Sequence, residues 1–125
     1  MESSARAFIG ELDVEDNAFE CTVDRLIYRA EGVTFEFSCF DAEGGAHRAT
    51  GRASLDSLGR YRTDEFRVRY TSDRTDTAAG FQIVSLVVID DLLSLKAVWT
   101  QAGDTFDVEG ELSPFVKFAE SGALR

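Results

Sequence analysis

A chain of 125 residues, 44% of them apolar and ten of those Phe, can bury one core without disulfides or a structural metal, so residues 1–125 are read as one domain. The net charge of −10 argues against nucleic acid and anionic membranes as partners, because both are bound through counterion release by basic side chains. Two Cys are too few for a disulfide scaffold. The start, Met1-Glu-Ser-Ser-Ala-Arg6, has neither the basic residues nor the apolar run of a signal peptide. The longest apolar run, Ile83 to Ile89, is interrupted by Ser85 and stopped by Asp90-Asp91, too short to span a membrane. The expectation is a soluble, cytoplasmic protein.

Short alternating segments then follow one another without a long helical period. Ala7–Asp13 is the first predicted strand, and Glu15-Asp16-Asn17 turns the chain. In Phe19–Tyr28 the apolar parity slips: Phe19, Cys21 and Val23 share one face, Leu26 and Tyr28 the other. A slip of one residue at Asp24-Arg25 predicts a β-bulge. Beyond Glu31-Gly32, Val33, Phe35, Phe37 and Cys39 alternate cleanly with polar residues. Gly44-Gly45 turns into His47–Leu55, whose inner residues Ala49, Gly51 and Ala53 are small. Thr63–Thr71 points Phe66, Val68 and Tyr70 inward, and Ser72–Gly80 is a polar loop. Phe81–Ile89 is apolar on both parities.

Leu93–Thr100 and Thr105–Leu112 form the last hairpin. A two-residue Ala102-Gly103 loop sets Trp99 opposite Phe106, Ala97 opposite Val108, Leu95 opposite Gly110, and Lys96 opposite Glu109. Pro114, the one proline, is expected outside the strands. Ser113 as N-cap, Pro114 at the first turn and Gly122 beyond the end outline a short helix, with Phe115, Phe118 and Ala119 capping a barrel end. The echo of Ile9-Gly-Glu-Leu12 in Glu109-Gly-Glu-Leu112 predicts that the first and last strands meet.

These elements specify an all-β fold: an eight-stranded antiparallel up-and-down β-barrel with a short C-terminal helix, of the calycin-like or avidin-like architecture. Such barrels either fill with side chains or hold one small ligand. Phe37, Cys39, His47, Tyr70 and Trp99 are candidate interior ligand contacts. Gly10, Ala49, Gly51, Ser85, Ala97 and Gly110 would leave space among them or accommodate neighbouring aromatics.

Extending the register across the second to fifth strands places Cys21, Cys39, His47 and Tyr70 in one inward row, with neighbouring Cβ atoms about 5 Å apart. Gly10 is expected to flank Cys21 and leave room beside its thiol. Cys21, Cys39 and His47 could ligate a soft or borderline metal, activate a thiol, or form a cross-strand disulfide. Equally, the two Cys could be core fillers and His47 a residue of the barrel mouth. No orienting carboxylate joins the row, and the spacing is not that of a metal motif, so no catalytic residue or cofactor is assigned.

Charge is unevenly placed. Residues 46–74 carry seven Arg against four acids, and the rest of the chain six basic residues against nineteen acids. The register opposes Arg48 to Arg69, with Arg67 beside them, and Arg52 to Glu65. Opposed Arg side chains either splay into water or face something anionic, a ligand or an acidic partner surface. Arg48-Ala-Thr-Gly-Arg52 shares the spacing that opens the cyclic-di-GMP motif of PilZ domains. The second half of that motif is not met, because Ser54 and Asp56 stand in exchanged order and follow too soon.

Three readings follow. The first is a non-enzymatic barrel that binds a small apolar ligand inside. The second is an interaction or homodimerisation module, built on strand 81–89 through outward Val84, Leu86 and Val88 together with the Arg48, Arg67 and Arg69 patch. The third is a metal or thiol site at Cys21, Cys39 and His47. Whether the barrel is full or hollow divides the first from the rest.

Overall fold

The computed structural model of the protein describes residues 5–41, 45–72 and 76–115. Nine strands follow in order: β1 (Arg6–Val14), β2 (Phe19–Arg29), β3 (Gly32–Asp41), β4 (Ala46–Leu55), β5 (Tyr61–Tyr70), β6 (Asp76–Thr77), β7 (Ala79–Ile89), β8 (Leu92–Gln101) and β9 (Asp104–Pro114). They form one antiparallel sheet in the order β6-β5-β4-β3-β2-β1-β9-β8-β7. A 3-10 turn at Glu15–Asn17 is the sole helical element among the described residues. No helix among them is long and apolar enough to cross a membrane.

The sheet curls into a nearly closed barrel. β6 and β7 are separated by Ala78 alone. The first pairs with β5 through Val68↔Thr77 and Arg69↔Asp76, and the second pairs with β8 along its whole length. A single run of chain thus passes from one side of the seam to the other. Past β6 no ladder joins β5 to β7 among the described residues, but the Thr63 hydroxyl donates to the Phe81 carbonyl across the seam. The ninth strand comes from the segment expected to be loop.

The predicted registers hold for the Ala102-Gly103 hairpin and for the bulge between Val23 and Arg25. Ala102 and Gly103 both have positive φ, 53° and 90°, the handedness that matches the twist of a two-residue hairpin. Three expectations change. Ser113 and Pro114 continue β9 instead of starting a helix, with Pro114 opposite Phe8 and the Phe115 N–H donating to the Ala7 carbonyl at 2.8 Å. The body of the predicted helix, 116–125, lies outside the described residues.

The second change is in β7. Its register shifts between Ile83 and Ser85, so Val84 is an extra residue. Phe81 and Ile83 face inward before it, and Leu86 and Val88 pack against the core after it. The outward apolar row is therefore Val84, Val87 and Ile89, not Val84, Leu86 and Val88.

The third change is at Gly10, which stands opposite Val23, while Leu12 stands opposite Cys21. A methyl group on Gly10 would sit 2.8 Å from Leu112 Cδ2, and one on Gly110 would sit 2.8 Å from Leu12 Cδ2. Each Gly of the repeated Gly-Glu-Leu triplet makes room for the Leu of the other. That reciprocal fit explains the echo between β1 and β9, and Leu12, not Gly10, is the residue that flanks Cys21.

Aromatic rings fill the interior. Phe19 meets Trp99 at 4.9 Å, Phe35 stacks on Phe37 at 5.0 Å, and Phe66 stacks on Phe81 at 5.1 Å and meets Trp99 edge-on at 5.2 Å. Burying each ring removes enough apolar surface to stabilise the fold by roughly 2–3 kcal/mol, with about 0.5–1.5 kcal/mol more per well-oriented pair. Gly51 belongs to this packing: a Cβ there would lie 2.8 Å from Phe35 Cζ and 2.6 Å from the Glu65 carbonyl.

Candidate functional site

The bulge in β2 restores the inward parity of that strand and so brings its Cys into line with the residues of β3 to β5. Cys21 stands opposite Cys39, Cys39 opposite His47, and His47 opposite Tyr70. Both Cys are free thiols buried in the core, 3% and 1% exposed, with their sulfurs 3.6 Å apart and one thiol donating to the other.

His47 is 2% exposed and lies between two rings, edge-on to Phe19 at 5.4 Å and tilted against Tyr70 at 4.7 Å. Neither of its ring nitrogens has a hydrogen-bond partner among the described residues. The polar groups around it are engaged with one another instead. Trp99 Nε1 donates to Gln101 Oε1 at 2.9 Å, Gln101 Nε2 donates to the Tyr70 hydroxyl at 3.2 Å, and that hydroxyl donates to Asp41 Oδ2 at 3.3 Å. Asp41 Oδ1 accepts from the Gly45 N–H at 2.6 Å. A continuous chain of polar contacts passes the imidazole by.

The two thiols differ in acidity. The remaining Cys21 thiol stabilises a Cys39 thiolate by donating to it, and the nearby His47 helps against the cost of burial, so the Cys39 thiol is lowered to about 6. Cys21 is pushed up, by that shared hydrogen bond first and by burial second. Burial, reinforced by Asp41, also raises the Tyr70 phenol.

The donors do not converge as a metal site: no group of three or more His, Cys, Asp or Glu among the described residues is arranged to hold an ion. What the row offers is two facing sulfurs and an adjacent unpartnered base.

The predicted interior contacts are core. Phe37 and Trp99 are fully buried, Cys39 and His47 nearly so, and Tyr70 is half-buried. Phe37 packs against Trp99 at 5.9 Å and His47 against Tyr70 at 4.7 Å. The main grooves lie elsewhere, and none of these five residues lines them. One, of about 650 Å³, follows the seam between Arg60–Arg62 at the start of β5 and Gln82–Val87 of β7. Periodicity gives no hint of it, because it lies where no ladder joins β5 to β7.

The Arg patch is neutralised within the molecule. Arg48 pairs with Asp24 at 3.3 Å and Glu36 at 3.2 Å. Arg67 and Arg69 share Asp76 at 3.2 and 3.0 Å. The bulge of β2 turns Asp24 toward Arg48, and β6 carries Asp76 to β5, so opposed Arg48 and Arg69 each have acids beside them and no external anion is required. Arg52 and Glu65 form the predicted exposed pair, at 3.9 Å.

No protein family, curated protein or solved structure matches this chain.

Proposed function

We propose that the protein is a non-enzymatic interaction module that pairs with a second copy of itself through β7. The observation that carries this reading is the outward row Val84, Val87 and Ile89, exposed by 64%, 44% and 67%, on the strand with which the hydrogen-bonded sheet ends. Aliphatic side chains aligned on an end strand are a template for pairing with another chain. The seam groove beside them runs along the β7 edge that no ladder joins to β5.

Charge favours a second copy as the occupant. Arg62, in the groove wall, makes no ion pair among the described residues, and exposed Asp90 directly follows β7. Antiparallel pairing of β7 with its copy about a two-fold axis brings Asp90 of each chain toward Arg62 of the other, and the contact is self-complementary. The interior ligand is not carried forward, because its predicted contacts pack against one another.

Sedimentation velocity tests the reading. A dimer is expected for the unaltered chain, and a folded monomer for Val87→Asp and for Ile89→Asp, with circular dichroism unchanged. A monomer at every attainable concentration, or a dimer that survives both substitutions, would overturn it.

A further inference from the structure

We propose that Cys21 and Cys39 are a redox pair that a small peroxide converts into a cross-strand disulfide, with the unpartnered imidazole of His47 as the proton acceptor. The proposal is independent of self-association.

Geometry comes first. Directly opposed residues of an antiparallel pair have Cα atoms about 4.5–5.5 Å apart, inside the range of about 4.4–6.8 Å that a disulfide spans. Cys21 and Cys39 are such a pair, in register and with no bulge between them. Their sulfurs need only close from 3.6 Å to a bonded distance of about 2.05 Å, by side-chain rotation and without sliding of strands.

His47 is the second observation. A buried polar group normally has its hydrogen bonds satisfied. Here the surrounding hydrogen-bond chain, Trp99 to Gln101 to Tyr70 to Asp41, satisfies its own members and omits the imidazole. An apolar side chain would fill that place at no desolvation cost, so packing alone does not account for a histidine. A free ring nitrogen one strand across from Cys39 does have a use, which is to take the thiol proton. The greater acidity of Cys39 and the lesser acidity of Cys21 assign the roles: Cys39 attacks, and Cys21 keeps its proton until the second step.

The steps balance. Cys39 gives its proton to His47, and the thiolate attacks one peroxide oxygen; an S–O bond forms and the O–O bond breaks. The departing oxygen takes the proton back from His47 and leaves as water or, from an organic peroxide, as an alcohol. Cys21 then attacks the sulfenic sulfur, the S–S bond forms and the S–O bond breaks, and the hydroxyl leaves with the Cys21 proton as water. Two thiols are oxidised and one peroxide is reduced. Burial sets the oxidant class: cysteines buried to this degree, 3% and 1% exposed, select a molecule of about the size of water over a glutathione-sized disulfide.

The experiment uses the full folded chain. Hydrogen peroxide is expected to remove both free thiols and two hydrogens from the intact mass, reversibly with dithiothreitol, while oxidised glutathione leaves the thiols intact. Cys21→Ser is expected to trap Cys39 as a sulfenic acid that dimedone captures. His47→Gln is expected to slow oxidation about tenfold or more, with circular dichroism unchanged. In the unaltered protein the rate should rise with pH through about 6, where the Cys39 thiolate forms, and level off above it; this profile serves as the second measure if His47→Gln does not fold. Thiols that survive peroxide when folded but not when denatured would overturn the proposal. So would an oxidation rate that ignores both His47→Gln and pH near 6.

Discussion

β2 and β7 each carry one residue more than the strand they pair with, yet the two bulges leave very different surfaces. In β2 the extra residue is Asp24, which takes hydrogen bonds from Ser38 and Arg48 on the outer face. On either side of it the apolar residues, Cys21 and Val23 before and Leu26 after, all face inward and are buried. In β7 the extra residue is Val84, and the strand stays apolar on both faces, with Leu86 and Val88 inside and Val87 and Ile89 outside. A bulge whose extra residue is polar tidies a strand into one wet and one dry face. A bulge in an all-apolar strand leaves a dry face looking outward, and that face asks for a partner.

Removing the extra residue should separate the two cases most strongly. Deleting Asp24 leaves Val23, Arg25 and Leu26 opposite Phe37, Glu36 and Phe35, so the core set keeps its face; the hydrogen bonds from Ser38 and Arg48 are lost, and a loss of about 2–3 kcal/mol in urea melts is expected. Deleting Val84 likewise leaves Ile83, Ser85 and Leu86 opposite Ala97, Lys96 and Leu95, and it removes only an exposed side chain, so a loss of less than about 1 kcal/mol is expected. Equal outcomes for the two deletions would break the comparison. Next in size, Leu86→Ala should cost about 2 kcal/mol and Val87→Ala less than about 0.5 kcal/mol, and reversed values would return β7 to an unbulged register.

The same physics decides what is legible in the sequence. The Asp24 bulge is visible because polar residues interrupt the alternation of β2. The Val84 bulge is hidden because a slip between two apolar parities leaves no mark, so Leu86 and Val88 are placed on the wrong face. The Cys21–Cys39–His47–Tyr70 row follows from counting across turns, since each step is a direct cross-strand pair. The state of that row does not follow. That His47 lacks a partner depends on Gln101 and Tyr70 satisfying each other, a matter of side-chain reach. Gly51 and Gly110 have the composition of cavity walls, and only coordinates show Phe35 and Leu12 lying over them. The ion pairs of Arg48 and Arg67 are missed because Asp24 is the extra residue of β2, with no place in the pairwise register, and Asp76 lies on a strand whose sequence reads as loop.

Two smaller effects sharpen the picture. Asp24→Asn should cost about 1 kcal/mol or less, falling as salt rises, because its ion pair with Arg48 is partly exposed. A larger, salt-independent loss would mean that Asp24 holds the bulge by shape and not by charge. At the hairpin tip, Ala102 sits at φ 53°, a left-handed conformation that Asn tolerates better than Ala. Ala102→Asn should raise stability by about 0.5 kcal/mol, read as a small increase in melting temperature.

The interlocked Gly-Glu-Leu triplets also bear on how fast the barrel can form. The hairpins from β2 to β5 and from β7 to β9 close over short stretches of chain and can zip locally. The β1–β9 ladder joins Phe8 to Pro114 and Val14 to Val108, so almost the entire chain must be looped before the first of those contacts is made. Loop closure on that scale is an entropic toll met before any reward, and sheets dominated by such distant pairings fold in about milliseconds to seconds. Until Leu12 and Leu112 find each other's glycines, β1 and β9 are two bare edges. That interval is when the chain is most exposed to pairing with its neighbours.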